Sequence, residues 1–179
     1  MNKLFIAAAF VCLFAFAAFA QKPADLSGKW NLDISKSELG QQAAMIKSQT
    51  VTITQAGTSF KVSTQTERNA PPDGGGGGGG MGNGGGGRMG GGMMGGGGDQ
   101  SYTLDGKEVS TERQGPNGPM TIKTMASQSG SKVVISSVFP GPNGDIKSTT
   151  TYELSGDGKT LTVTRESTRG TSKSVYSKG

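Results

Sequence analysis

The amino-acid sequence predicts an all-β protein, an antiparallel up-and-down meander of about eight to ten strands. Two observations carry this prediction. Apolar and polar residues alternate over short segments on both sides of a glycine-rich run, and tight-turn residues separate these segments. A meander of this length loses its exposed edges by closing into a barrel, and a two-layer β-sandwich is the alternative that alternation alone leaves open.

The amino-terminal residues 1–20 have the pattern of a secretory signal peptide. One positive charge precedes an uninterrupted apolar stretch, and two alanines at the small-residue positions predict cleavage before Gln21. The apolar stretch is short for a membrane helix, so we expect no membrane span after cleavage. The sequence therefore predicts an exported protein, periplasmic or secreted, with a single domain over residues 21–179.

A glycine-rich run interrupts that domain, because residues 74–98 hold 19 glycines in 25 positions. Such a segment cannot bury enough apolar surface to offset its conformational entropy, so we interpret it as a flexible loop insertion. Its methionine thioethers suit Cu(I), but their irregular spacing favours a low-complexity insertion without a metal role. These weak metal candidates are Met81, Met89, Met93 and Met94. Nucleic acid is not an expected partner, since Arg88 is the run's one basic residue and no aromatic residue accompanies it.

The segments before the run predict the first three strands. A strand around Trp30 is followed by a weakly helical patch over residues 37–47. In TVTITQ, at residues 50–55, two apolar residues alternate with threonines, and an Ala-Gly turn then leads into a third alternating segment. The inward residues predicted for the second and third strands are Val51, Ile53, Phe60 and Val62.

The segments after the run predict the remaining strands. Asp105-Gly106 fits a two-residue hairpin turn, which would place Tyr102 opposite Val109. The tetrapeptide G-P-N-G occurs at 115–118 and at 141–144, and each copy predicts a turn. Alternation then predicts the inward positions of the late strands, which are Val133, Ile135, Ile146, Ser148, Thr150, Tyr152, Leu154, Leu161, Val163 and Arg165.

Gly28-Lys29-Trp30, near the start of the first strand, resembles the G-x-W signature of lipocalins. With the segments Y-x-L-D-G-K-E and D-G-K-T-L-T-V-T-R, it makes most of the chain similar to small exported bacterial proteins of lipocalin-like, calycin type. The resemblance implies a barrel with Trp30 across its closed end and an arginine from a late strand over the ring. Arg165 matches that arginine, with Arg169 in reserve, and the cation-π contact would contribute about 1 to 2 kcal/mol.

The residue types present argue against catalysis. The chain has no histidine, and its single cysteine, Cys12, lies in the leader, so the usual nucleophile–base pairs and zinc sites are missing. The carboxylates fall at turns or on outward faces, and no pair stands out as a general acid and base. We therefore expect neither an enzyme nor a cofactor. The formal net charge of +5 is spread along the strands, which indicates a solvated surface.

These observations favour a non-enzymatic lipocalin-like protein that binds a small amphipathic ligand inside the barrel. The candidate lining residues are Val51, Ile53, Phe60, Val62, Tyr102, Ile135 and Tyr152. The alternative is a structural or interaction module of the cell envelope, in which the barrel is filled and another envelope protein is the partner. The glycine-rich loop would then be a flexible spacer.

Overall fold

The computed structural model of the chain describes residues 23–69, 98–115, 118–141, 144–168 and 170–179. The leader, Arg169 and almost all of the glycine-rich run, with its four methionines, lie outside these ranges. The described part contains one short 3₁₀ helix (Gly40–Met45) and ten strands. The strands are β1 (Gly28–Glu38), β2 (Ile46–Ala56), β3 (Ser59–Arg68), β4 (Asp99–Thr103), β5 (Asp105–Gly115), β6 (Gly118–Ser129), β7 (Lys132–Gly141), β8 (Gly144–Leu154), β9 (Thr160–Ser167) and β10 (Gly170–Lys178).

All ten strands belong to one antiparallel sheet, in the order β4-β3-β2-β1-β10-β9-β8-β7-β6-β5. Strands that are consecutive in sequence pair with each other except β4 and β5, and β1 also pairs with β10. The sheet curls into a nearly closed barrel with β4 and β5 at its two edges. The predicted meander and barrel are confirmed. The sandwich alternative is wrong, because the strands form one continuous sheet.

One end of the barrel, which we call the plugged end, contains the buried apolar side chains. It is the end where β1, β3, β7 and β9 begin, and residues 23–27 lie against it. The amide of Ala24 donates to the carbonyl of Gly130 at 2.9 Å, and Leu26 is fully buried. The opposite, open end contains the 3₁₀ helix, none of whose residues is buried. In the described part of the chain, no helix is long and apolar enough to cross a membrane.

The predicted hairpin at Asp105-Gly106 is wrong. Gly106 has the positive φ of 72° that this turn requires, but β4 and β5 diverge after it. Tyr102 consequently pairs with Phe60, not with Val109. Leu104 explains the divergence, because its amide donates to the carbonyl of Thr58 at 2.8 Å and its side chain packs against the core. The end of β4 therefore stays on β3, and the turn marks the gap in the barrel.

Strand β1 contains an irregularity that the alternation did not predict. Its register with β10 shifts between Asp33 and Glu38. The Ser37 hydroxyl donates to the Asp33 carbonyl at 2.6 Å and accepts the Val175 amide at 2.8 Å, so the extra residues remain attached to β10. Hydrogen bonds from Ser35 and the neighbouring lysine lower the pKa of the Asp33 carboxyl.

Candidate functional site

The lower half of the barrel, next to the plugged end, is filled by side chains. Phe60 on β3 and Tyr152 on β8 meet edge to face, with their ring centroids 5.4 Å apart. Since β3 and β8 lie on opposite sides of the barrel, this contact spans the interior. The structure places every predicted lining residue here: Val51, Ile53, Phe60, Val62, Ile135 and Tyr152 are buried, and Tyr102 packs against them. These residues form a packed floor for the upper half.

Trp30 and two glutamines close the floor from below. Trp30 is fully buried, and its indole Nε1 donates to the Leu26 carbonyl at 3.0 Å. The Gln55 amide donates to Gln128 Oε1 at 2.6 Å, and Gln55 Oε1 accepts the Leu26 amide at 3.1 Å. Gly28, with a φ of +146°, lies beside the Trp30 ring in a conformation that side chains rarely adopt. These hydrogen bonds and the apolar packing therefore seal the plugged end together.

The cation over the Trp30 ring is Lys178 and not the predicted Arg165. Its Nζ lies 5.5 Å from the ring centroid. The register gives the reason, because Trp30 pairs directly with Lys178, whereas Arg165 pairs with Ser172 and Thr150, nearer the open end. Lys178 is exposed, so this contact contributes about 0.5 to 1 kcal/mol.

Arg165 instead faces the interior above the floor. Leu161, four residues earlier on the same face of β9, is fully buried in the core. Burial raises the pKa of three phenols on strands around this space, and the positive charge of Arg165 opposes each rise. These phenols are Tyr102 on β4, Tyr152 on β8 and Tyr176 on β10. Because the Arg165 side chain is also exposed, we conclude that water enters the upper half of the barrel.

Polar side chains surround Arg165 in the upper half. The Tyr176 hydroxyl donates to Gln49 Oε1 at 2.7 Å, and the Gln49 amide donates to Thr66 at 2.8 Å, which links β10, β2 and β3. The strand registers bring further hydroxyl and amide groups to the inner face: Thr64, Gln100, Thr124, Ser137, Ser148, Thr150 and Ser174. The upper half is therefore rich in hydrogen-bonding groups.

The Tyr152 hydroxyl is a donor without a protein partner in the described part of the chain. Tyr152 as a whole is only 6% exposed, yet no hydrogen bond joins its hydroxyl to any described residue. Among the described residues, every side-chain polar atom sealed from solvent has a hydrogen-bond partner. The Tyr152 hydroxyl consequently contacts solvent, which fits a phenol whose ring lies in the floor and whose oxygen borders the upper half.

The acidic side chains of the ten strands face outward. The register shows this for Glu108 and Glu153, which form ion pairs of 3.2 Å with Lys123 and Lys132. The same alternation directs the other strand acids outward: Asp33, Glu38, Glu67, Asp99, Asp105, Glu112, Asp145 and Glu166. Arg165 has no ion pair with any described residue. The inner face of the strands therefore carries positive charge without a carboxylate to balance it.

The polar residues of the upper half that were not predicted as site residues include Gln49 and Arg113. Gln49 belongs to the same alternating segment as Val51, so its inward direction was available from the pattern. Arg113 lies on the same face of β5 as Val109, which the predicted hairpin placed opposite Tyr102, so its inward direction was also available from the alternation.

Other surfaces of the described residues are weaker candidates for a functional site. The described ranges contain no group of three or more residues that could hold a metal ion. A shallow groove of about 280 Å³ lies at the open ends of β6, β7 and β8. Thr121, Lys123 and Val138 line it from outward positions, so it belongs mainly to the outer surface.

Comparison with known proteins shows similarity in structure only. No family model matches the chain, and no curated protein matches it in sequence. Secretory abundant heat soluble protein 4 from Ramazzottius varieornatus is 16% identical over 89% of this chain and 99% of its own, with a TM-score of 0.51.

Two further solved structures are similar to the chain. The wild-type fluorescent protein UnaG is 14% identical over 86% of this chain and 96% of its own, with a TM-score of 0.50. The REP1-NXSQ fatty acid transporter is 17% identical over 87% of this chain and 96% of its own, with a TM-score of 0.49. At these identities, the two structures with TM-scores of 0.50 and 0.51 show the fold alone, an antiparallel β-barrel.

Proposed function

We propose that the upper half of the barrel binds a small amphipathic ligand whose negatively charged group lies against Arg165. The observation that carries this proposal is an inward-facing guanidinium that has no ion pair among the described residues. A charge attracts its counter-ion more strongly in a partly enclosed site than at the surface, because water screens it less. Three phenols and several hydroxyl groups around Arg165 provide further hydrogen bonds.

The apolar part of the ligand has a wall to pack against. Ile122, Phe139 and Ile146 occupy inward positions on β6, β7 and β8 toward the open end. The packed floor limits the ligand to the space above Phe60 and Tyr152, so the ligand is small. In this proposal the protein is a non-enzymatic binding protein, since the site offers binding groups and lacks a nucleophile paired with a base.

Two related dyes test the proposal. Anilinonaphthalene sulfonate carries a negatively charged sulfonate, and N-phenylnaphthylamine is its uncharged counterpart. The fluorescence of both dyes rises in an apolar site. We expect the protein to bind the sulfonate several-fold more tightly, because a charge pair formed by an exposed side chain contributes up to about 1 kcal/mol. Arg165→Met should remove this preference. Lys147→Met, which removes an outward-facing cation from β8, is the matched control and should retain it.

Equal binding of the two dyes by the wild-type protein would contradict the proposal, as would equal losses of sulfonate binding in the two variants. The second candidate function is a structural or interaction module of the cell envelope, and the filled lower half of the barrel supports it. If the barrel binds neither dye, this second function is favoured.

We also propose that the protein is exported, to the periplasm or the exterior. The sequence of residues 1–20 supports this proposal. Amino-terminal sequencing of the protein isolated from its own host should begin at Gln21. A chain that retains residues 1–20 would contradict it.

A further inference from the structure

A second arginine, Arg113, faces the same interior from β5. Arg113 pairs with Met120 on β6, and Ala126, further along the same face of β6, is buried in the core. The register therefore directs Arg113 inward, although residues 105–114 of β5, Arg113 included, are exposed to solvent. It lies on the edge strand beside the gap, and its charge, like that of Arg165, opposes the rise in the pKa of Tyr102. The two guanidinium groups, on separate strands, thus both act on the Tyr102 phenol.

These two positive charges are not balanced from within the described protein. Neither arginine forms an ion pair with a described residue. The charged groups that influence the three phenols are arginines and other tyrosines, and no carboxylate is among them. A ligand with one negative charge would leave one arginine unpaired, whereas a ligand with two would balance both.

The neighbouring groups are hydrogen-bond donors suited to an anion with several oxygens. The Tyr152 hydroxyl is free of protein partners among the described residues, and Thr150 pairs directly with Arg165 on the inner face. A phosphate monoester carries close to two negative charges near neutral pH and has three strong acceptor oxygens. Arginine suits this group because its planar fork donates two hydrogen bonds to adjacent oxygens.

We propose that the anionic group preferred by this site is a phosphate monoester, bound by Arg113 and Arg165 with the Tyr152 hydroxyl as a third donor. This inference rests on the proposed function and specifies its ligand class. Free phosphate offers the same chemistry, but the apolar wall of Ile122, Phe139 and Ile146 favours a phosphate that carries an alkyl or similar apolar group.

Calorimetric titration of residues 21–179 with octyl phosphate, octyl sulfate and inorganic phosphate tests this inference. At about pH 8 we expect octyl phosphate to bind several-fold more tightly than octyl sulfate, since it makes one more charged contact with an exposed side chain. That ratio should rise with pH across the second ionisation of the phosphate, near pH 6, because octyl sulfate has no ionisation there.

Arg113→Met should bring the ratio close to one, and Arg113→Lys, which keeps the charge, should retain part of it. Lys147→Met should leave the ratio unchanged. Circular dichroism of each variant confirms that it is folded. If octyl sulfate binds through Arg165 and octyl phosphate binds no more tightly, this inference is overturned and the proposed function stands. If neither octyl phosphate nor octyl sulfate binds, this inference and the proposed function are both overturned. Inorganic phosphate that binds as tightly as octyl phosphate would overturn the monoester assignment.

Discussion

Trp30 connects residues 23–27 to the barrel through a single hydrogen bond from its indole to the Leu26 carbonyl. Trp30→Phe keeps an aromatic ring in the floor but leaves that buried carbonyl without its donor. We expect the free energy of unfolding to fall by about 1 to 3 kcal/mol, measured by urea denaturation and circular dichroism. Lys178→Met removes only the exposed cation over the ring and should cost about 0.5 to 1 kcal/mol. Similar losses in the two variants would contradict the role assigned to the hydrogen bond.

Tyr152 gives the barrel a sensitivity to alkaline pH. Burial raises the pKa of its phenol above the ordinary value of 10.0, so the native state holds the proton more tightly than the unfolded chain does. The resulting stability is complete below that ordinary pKa and is lost as the pH rises above it. The wild-type protein should lose unfolding free energy between about pH 8 and about pH 11. We expect the Tyr152→Phe variant to lose about 1.4 kcal/mol less over this range. An equal loss in the wild-type protein and the variant would contradict this assignment.

At the scale of elements, the gap between β4 and β5 is the main departure from a closed sheet. Strand β5 pairs with β6 alone, so half of its backbone amides face the gap. We expect alternate amides of β5 to exchange hydrogen rapidly, while β9, which pairs on both sides, exchanges slowly along its length. Residue-resolved hydrogen exchange by NMR measures this. Uniform protection along β5 would show that the gap is closed in solution.

Alternation predicted best the strands that have one buried face, because a shift of one residue would expose their whole apolar set. The segments around Val51, Phe60 and Tyr152 follow this rule, and so does the inward direction of Arg165. The β4–β5 hairpin was wrong because a local turn signal does not contain the contact of Leu104 with the core. Such contacts depend on how distant strands meet, which no short segment of sequence specifies.

At the scale of the whole molecule, the barrel divides into two halves with different chemistry. Buried side chains from every strand except β4 and β5 fill the lower half, while the upper half is rich in polar groups, open to solvent and positively charged on its inner face. The sequence predicted one interior with both apolar and polar residues, Ser148 and Thr150 among them, but not its division into two halves, because alternation indicates which side a residue faces and not its distance from either end. The change from apolar to hydroxyl-bearing residues above the floor becomes visible only when the strands are aligned in register.

The most direct test of the account is whether an anion reaches Arg165. The side-chain Nε–Hε signal of Arg165 can be assigned by NMR with an Arg165→Lys variant and followed during titration with octyl sulfate. We expect this signal to shift and to saturate at one equivalent of octyl sulfate. The backbone amide signals of inward residues such as Thr150 should shift with it, while the amide signals of outward residues such as Thr162 should not change. An unchanged Arg165 signal, with shifts confined to the outer surface, would contradict the account.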